Sequence, residues 1–205
     1  MDILLGAGIG TVQVAIGHPF DTVKTLLQNG QSVRNLKLKY FYRGWTWPIM
    51  ASAGFNAVAF PTYHITKDKI KNNYVAGFVS GFVVAPIEYG FIAAKIRQQT
   101  LTSVPWHCKG FTMVTLRTSI AMSVYFGIYE DFKKDIGPFN AGAIAGLANW
   151  TLTYPFDTIS TRQIASKISI RQAINNGNLM RGYLPCAIRA LLVNGVSFKI
   201  YDMFY

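Results

Sequence analysis

The sequence predicts an all-α membrane protein whose six transmembrane helices form three tandem two-helix repeats, arranged with pseudo-threefold symmetry around a central cavity. Two observations carry this prediction. Only 14% of the 205 residues are charged and 51% are hydrophobic, whereas soluble chains carry about 25% charged residues. A motif also recurs three times along the chain. The low charge content indicates that lipid covers much of the surface.

The repeated motif begins with a proline followed two residues later by an acid. The three pairs are Pro19 with Asp21, Pro86 with Glu88, and Pro155 with Asp157. A basic residue and a glycine follow each pair, namely Arg43-Gly44, Lys109-Gly110 and Arg181-Gly182. Such self-similarity indicates copies of one structural unit. We therefore expect a single domain, 1–205, made of repeats 1–71, 72–135 and 136–205.

Each repeat predicts a helix through the proline, a loop with a short amphipathic segment, and a second helix after the glycine. The expected spans are 3–29, 46–70, 74–98, 111–134, 139–164 and 183–204. Each is long enough to cross a bilayer, which takes about 20 residues. Proline removes a backbone hydrogen bond, so we expect kinks at Pro19, Pro86 and Pro155.

Small and polar residues within these spans indicate how the helices pack. Glycines four apart allow membrane helices to approach closely, and they occur as Gly6/Gly10, Gly77/Gly81 and Gly142/Gly146. Polar residues inside the spans should face a protein interior or a water-filled cavity. A soluble six-helix bundle is the alternative, but the low charge content and the long helices disfavour it.

The charge pattern and the residue types exclude several classes of function. The formal net charge is +11, but the basic residues lie between and at the ends of apolar stretches, which favours lipid headgroups or an anionic solute over nucleic acid. Cys108 and Cys186 make no disulfide framework. No nucleophile–base arrangement, metal-ligand spacing or nucleotide loop is present, so we expect no enzyme, metal or cofactor.

The threefold pattern of proline-x-acid-x-x-base, followed by an aromatic-basic-glycine step, resembles the mitochondrial carrier family across essentially the whole chain. The segments His18–Lys24 with Gln28, and Gly182–Ala190 with Asn194-Gly195, are most similar to carnitine, ornithine and related amino-acid carriers. The resemblance implies a multi-pass protein of the mitochondrial inner membrane. It further implies transport by alternating access, cardiolipin at the glycine steps and a monomeric state.

The resemblance also implies a gate on the matrix side, formed by Asp21, Lys24, Gln28, Glu88 and Asp157. Phe91 and Ser160 stand where the second and third repeats should carry a base. Only the pair of Lys24 with Asp157 is therefore expected. Because an unpaired buried carboxylate is costly, we hypothesise that Lys95 or Arg162 reaches one of the remaining acids.

A cytosolic gate is implied at Lys67, Glu130, Lys133 and Asp202. His64 replaces one acid of this set, and the chain ends before its last base. Lys67 with Asp202 is the one expected pair. With fewer gate charges than usual, we expect weaker closed states, and hence leak or uniport beside exchange.

The implied substrate contacts are Ala51, Ser52, Arg117, Thr118 and Arg189, with Phe55 one turn from Ala51. Two arginines facing one cavity would bind an anion, because arginine stays charged and grips a carboxylate with two hydrogen bonds. Amino-acid carriers usually place an acid where Thr118 stands, so this position favours a plain carboxylate or oxo-acid anion.

Three functions are compatible with the sequence. The leading one is transport of a small anionic or zwitterionic metabolite that carries a carboxylate, such as an amino acid, a carnitine-like compound or a dicarboxylic acid. Nucleotide or phosphate transport is the second, because these solutes are also anionic. The third is a degenerate carrier fold that serves as a receptor or scaffold, which the missing gate bases favour and the two arginines oppose.

Overall fold

The computed structural model describes residues 2–34, 36–100, 105–189 and 192–193, and within these ranges it leaves out the side chains of 2–13, 52, 53, 56 and 138. The described residues form helices joined by turns and irregular segments, with no strand among them. The predicted all-α class is therefore confirmed.

Six helices have defined bounds in this part of the chain. They are α1 (Asp2–Gln28), α2 (Leu38–Phe41), α3 (Thr46–Ile70), α4 (Asn73–Gln99), α5 (Phe111–Ser166) and α6 (Ile170–Asn175). Residues 183–189 are helical as well. The predicted spans 3–29, 46–70 and 74–98 agree with α1, α3 and α4 to within one residue at each end. Most of the predicted span 183–204 lies outside the described residues.

The long helix α5 contains two of the predicted helices, separated by a break at Gly137. This residue has φ 80° and ψ 157°, a conformation outside the helical region. Only glycine adopts such angles without strain. The break lies between the predicted spans 111–134 and 139–164, so α5 consists of a first half before Gly137 and a second half after it.

Local signals in the sequence account for where several helices begin. The side chain of Asn72 accepts hydrogen bonds from the backbone N–H groups of Tyr74 and Val75, which caps α4. Ser169 and Gln172 form a capping box at the start of α6. Gly110 has φ 97° and stands directly before α5. The glycine step thus supplies a left-handed turn that L side chains rarely adopt.

Among the described residues, two helical segments are long and apolar enough to cross a membrane, Asn73–Gln99 and Phe111–Gly137. They pack against each other through Gly77 and Gly81. A Cβ atom at Gly77 would lie 2.4 Å from the backbone oxygen of Met122, and one at Gly81 would lie 2.5 Å from that of Thr118. Glycine is therefore required for this close approach of α4 to the first half of α5.

A Cβ atom added at Gly142 or Gly146 would meet no described atom of another segment within 4 Å. Because residues 194–205 lie outside the described set, a close approach of helices at this pair stays a prediction. The side chains around Gly6 and Gly10 lie outside the described set.

Apolar clusters form near both ends of the helices. We call the region around Asp21, Glu88 and Asp157 the proline end, and the region around Tyr63, Tyr74 and Glu130 the tyrosine end. Near the proline end, Ala93, Ile96, Val114, Ile164 and Ala165 form a buried cluster. At the tyrosine end, Tyr63, Ala76 and Phe126 are buried together, and the rings of Tyr63 and Phe126 stack at 3.8 Å.

Candidate functional site

A cavity of about 410 Å³ lies among the helices. Residues of α1, α3, α4, both halves of α5 and the segment 183–189 line it. Seven of its lining side chains are ionisable, namely Asp21, Lys24, Glu88, Lys95, Arg117, Asp157 and Arg189. The cavity therefore joins three acids and four bases, and each repeat contributes to it.

The expected pair of Lys24 with Asp157 is present, with 2.7 Å between Lys24 Nζ and Asp157 Oδ2. Gln28 Nε2 donates to the same oxygen at 2.8 Å and to the hydroxyl of Thr158 at 3.1 Å. These contacts join the end of α1 to the second half of α5. Two donors on one carboxylate oxygen stabilise its ionised form.

Asp21, which has no expected base in the sequence pattern, contacts two cations. Lys95 Nζ lies 2.7 Å from Asp21 Oδ2, and Arg189 Nε lies 2.9 Å from Asp21 Oδ1. The hypothesis that Lys95 reaches an acid from a neighbouring turn is confirmed. Arg162 does not do so, because its guanidinium donates to the backbone oxygens of Gln28, Ala173 and Asn178.

Arg117 connects the remaining acid to the cluster. Its Nη1 donates to Glu88 Oε1 at 3.0 Å, and its Nε lies 3.3 Å from Asp157 Oδ1. The hydroxyl of Thr118 donates to the other oxygen of Glu88. Each of Asp21, Glu88 and Asp157 thus has a base, although the motif predicts only the pair of Lys24 with Asp157.

Trp150 is a cavity residue that the sequence analysis missed. Lys24 Nζ lies 4.9 Å from the centre of its ring, and the guanidinium carbon of Arg117 lies 5.7 Å from it. Cations are attracted to the face of an indole ring at such distances. The signal in the sequence was a tryptophan inside a predicted span, five residues before Pro155.

The predicted substrate contacts are only partly brought together. Ala51, Phe55, Arg117 and Arg189 line the cavity. Thr118 is 2% exposed, lies outside the cavity lining and bonds to Glu88 instead. The side chain of Ser52 is outside the described set.

A buried set of polar side chains fixes α1 against α4 beneath the cavity. Thr25 Oγ1 donates to Gln99 Oε1 at 2.9 Å, and Gln99 Nε2 donates to Thr22 Oγ1 at 3.0 Å. Thr22 in turn donates to the backbone oxygen of Phe41 at 2.8 Å. Gln99 is fully buried, so these bonds form away from competing water and hold the two helices in register.

Among the described residues, the tyrosine end has fewer ion pairs than the proline end. Lys67 and Lys133 both contact Glu130, the second through Nζ and Oε1 at 2.6 Å. Tyr74 donates to Asp131 at 2.7 Å. The predicted pair of Lys67 with Asp202 lies outside the described residues, and the observed partner of Lys67 is Glu130.

Comparison with known proteins finds similarity to mitochondrial carriers. The family model described as mitochondrial carrier protein matches residues 135–205. The chain is 25% identical to the glutamate/glycine mitochondrial carrier of Schizosaccharomyces pombe, over 98% of this chain and 92% of that protein. It is 26% identical to solute carrier family 25 member 45 of Homo sapiens, over 94% of this chain and 93% of that protein. The chain is thus similar to mitochondrial carriers over nearly its whole length.

A further relative is the mitochondrial basic amino acids transporter of Bos taurus, 26% identical over 97% of this chain and 89% of that protein. The names printed for the Schizosaccharomyces pombe and Bos taurus relatives describe them as mitochondrial. The relatives with printed functions are named as carriers or transporters, and these names describe solute movement rather than catalysis.

Proposed function

We propose that this protein is a carrier that moves a small carboxylate-bearing metabolite, most favourably an amino acid, across the mitochondrial inner membrane by alternating access. The observation that carries the proposal is the mixed charge of the cavity, where four bases and three acids line about 410 Å³. Cavities of this size suit a small ligand. An amino acid offers a carboxylate to the bases and an ammonium group to the acids.

Thr118 favours a plain carboxylate or oxo-acid anion as the substrate, but the acids that line the cavity change this expectation. That position lacks the acid of amino-acid carriers, but its hydroxyl bonds to Glu88, whose carboxylate also contacts Arg117. Glu88 therefore supplies a carboxylate beside the arginine from another helix. This placement supports an amino acid over a plain dicarboxylate, because an ammonium group finds a partner there.

The names of the relatives support the same substrate class. They include a glutamate/glycine carrier, an ornithine transporter and a basic amino acids transporter. Three carboxylates in the cavity disfavour nucleotides, whose phosphates would meet like charges. The scaffold alternative loses its main support, since Lys95, Arg117 and Arg189 pair with the acids for which the motif supplies no base.

The proposal includes the architecture that the repeats predict. Six membrane-spanning helices form repeats 1–71, 72–135 and 136–205 around the cavity, with bends at the motif prolines. The proline end is the matrix gate, and the tyrosine end, with Asp202, is the cytosolic gate. Cardiolipin binds at the glycine steps, and the carrier acts as a monomer.

Transport by purified protein in liposomes tests the proposal. Uptake of labelled glycine, glutamate, ornithine, malate and ATP would be measured with each compound also supplied inside. We expect saturable exchange of an amino acid, which Arg189→Ala abolishes. The matched control is Arg171→Ala, an exposed arginine of α6, which should transport as the wild type does. Uptake of malate or ATP without any amino acid would contradict the proposal.

A further inference from the structure

We propose that the two cavity arginines have different tasks: Arg117 is a base of the matrix gate, and Arg189 receives the carboxylate of the substrate. This division rests on the proposed transport function and deepens it. The sequence pattern assigns both arginines to the substrate. Their contacts in the structure separate them.

Arg117 is committed to two carboxylates on two different segments. It contacts Glu88 of α4 at 3.0 Å and Asp157 of the second half of α5 at 3.3 Å, and its side chain is 13% exposed. Among the described residues, Arg117 is the only base within 4.0 Å of Glu88. Withdrawing Arg117 to a substrate would leave Glu88 as an unpaired buried charge, which is strongly unfavourable.

Arg117 also fills a gap in the motif. Phe91 and Ser160 occupy the positions where the second and third repeats lack their gate base. Lys95 forms an ion pair with Asp21, Lys24 with Asp157, and Arg117 with Glu88. Each gate acid therefore has one base of its own without any contribution from Arg189. The closed gate requires Arg117 but not Arg189.

Arg189 is the arginine that a substrate can engage. Its side chain is 29% exposed, and its one carboxylate contact among the described residues runs through Nε to Asp21. A guanidinium has five N–H donors, so a single contact leaves donors for a bidentate grip on a carboxylate. When the substrate takes Arg189, Asp21 keeps Lys95 as its partner.

Gly17, which has no side chain, leaves room for the side chain of Arg189 beside α1. A Cβ atom at Gly17 would lie 2.9 Å from Arg189 Nε and 3.5 Å from its Cγ. The side chain of Arg189 therefore lies against the backbone of α1, one turn before Asp21. Gly17→Ala is expected to displace Arg189 without removing its charge, which tests position separately from charge.

The test compares Arg117→Lys with Arg189→Lys, since lysine keeps the charge but loses the planar fork that binds a carboxylate bidentately. Liposome uptake and the melting temperature of purified protein would be measured with glycine, glutamate and ornithine as probes. For Arg189→Lys we expect KM to rise by about tenfold or more, with the melting temperature of the ligand-free protein unchanged. For Gly17→Ala we expect the same rise in KM, while its melting temperature also reports the contact of the new Cβ atom with Val193 Cγ2 at 3.1 Å. For Arg117→Lys we expect an unchanged KM, a lower maximal rate and a lower melting temperature.

Two results would overturn the division of tasks. One is a raised KM in Arg117→Lys at an unchanged melting temperature. The other is an Arg189→Lys variant whose KM and ligand-induced stabilisation match those of the wild type.

A second measurement needs no transport, so its outcome is separate from that of the proposed function. Arg117→Gln, Glu88→Gln and the double variant would be melted without ligand. Partners in one ion pair give non-additive effects, so we expect the double variant to lose less stability than the sum of the two single losses. Additive losses would show that Arg117 does not serve Glu88, whether or not the wild type transports an amino acid.

Discussion

The two ends of the helical assembly are held by different interactions. At the proline end, three acids and four bases from α1, α4, α5 and the segment 183–189 form a connected set of ion pairs. At the tyrosine end, the described residues form two ion pairs to Glu130 beside a set of aromatic contacts. Tyr63 stacks on Phe126, and a Cβ atom at Gly127 would lie 2.2 Å from the ring of Tyr74.

This difference indicates which contacts can separate during transport. Ion pairs attract strongly where water is excluded, and their members regain hydration when they part. Tightly packed backbones and rings have no such compensation, because separation exposes apolar surface or leaves voids. We infer that the proline end, the proposed matrix gate, is the reversible closure in this conformation, while α3, α4 and the first half of α5 stay together as a unit.

The largest effect is expected from Asp157→Asn, which removes the charge that meets both Lys24 and Arg117. Leaving two buried cations without this partner should cost about 3–5 kcal/mol of stability and abolish transport. Thermal melting and liposome uptake would measure both. Asp68→Asn, at an exposed position of α3, is the matched control. Stability within error of the wild type would show that the cluster is not what closes the proline end.

A smaller loss is expected at the tyrosine-end side of α4 from Gly77→Ala. Its Cβ would meet the backbone oxygen of Met122 at 2.4 Å, so α4 and α5 must move apart, at a cost of about 1–3 kcal/mol. Gly142→Ala, whose Cβ meets no described atom of another segment within 4 Å, should leave the melting temperature unchanged. Equal effects of the two substitutions would contradict the packing difference between these glycines.

The smallest effect is expected from Lys67→Gln at the tyrosine end. The side chain of Lys67 is 32% exposed, and Glu130 keeps Lys133 as a partner. A pair of this kind contributes about 0.2–1 kcal/mol. Melting at low and high salt would measure it, with the exposed Lys69→Gln on the same helix as control. A loss of stability as large as that of Asp157→Asn would contradict the difference between the two ends.

The helix positions were predictable because they follow from local features. The glycine step before α3, the capping Asn72 before α4 and the length of the apolar stretches account for the helix ends. The predicted and observed bounds of α3 and α4 agree to within one residue. The pair of Lys24 with Asp157 was predictable because both residues occupy motif positions. The conformation of Gly137 could not be predicted in this way. Its non-helical φ and ψ are set by the turn between two helices, and no repeat motif specifies them.

The other ion pairs were harder to predict, because a motif gives positions along one helix and not the reach of a long side chain. Lys95 stands one turn beyond Phe91, yet it contacts Asp21 across the cavity. Arg117 was assigned to the substrate by position, although it faces two carboxylates. The contacts of Trp150 with Lys24 and Arg117 depend on how neighbouring helices pack, which no spacing within one segment specifies.

The excess of one base over the acids that line the cavity has an electrical consequence. Moving one elementary charge across a membrane changes its free energy by about 2.3 kcal/mol per 100 mV. A substrate with a net charge of −1 would cancel the excess, so the loaded carrier would change conformation without sensing the voltage. The empty cavity keeps its positive charge, and its reorientation would then be the step on which the membrane potential acts.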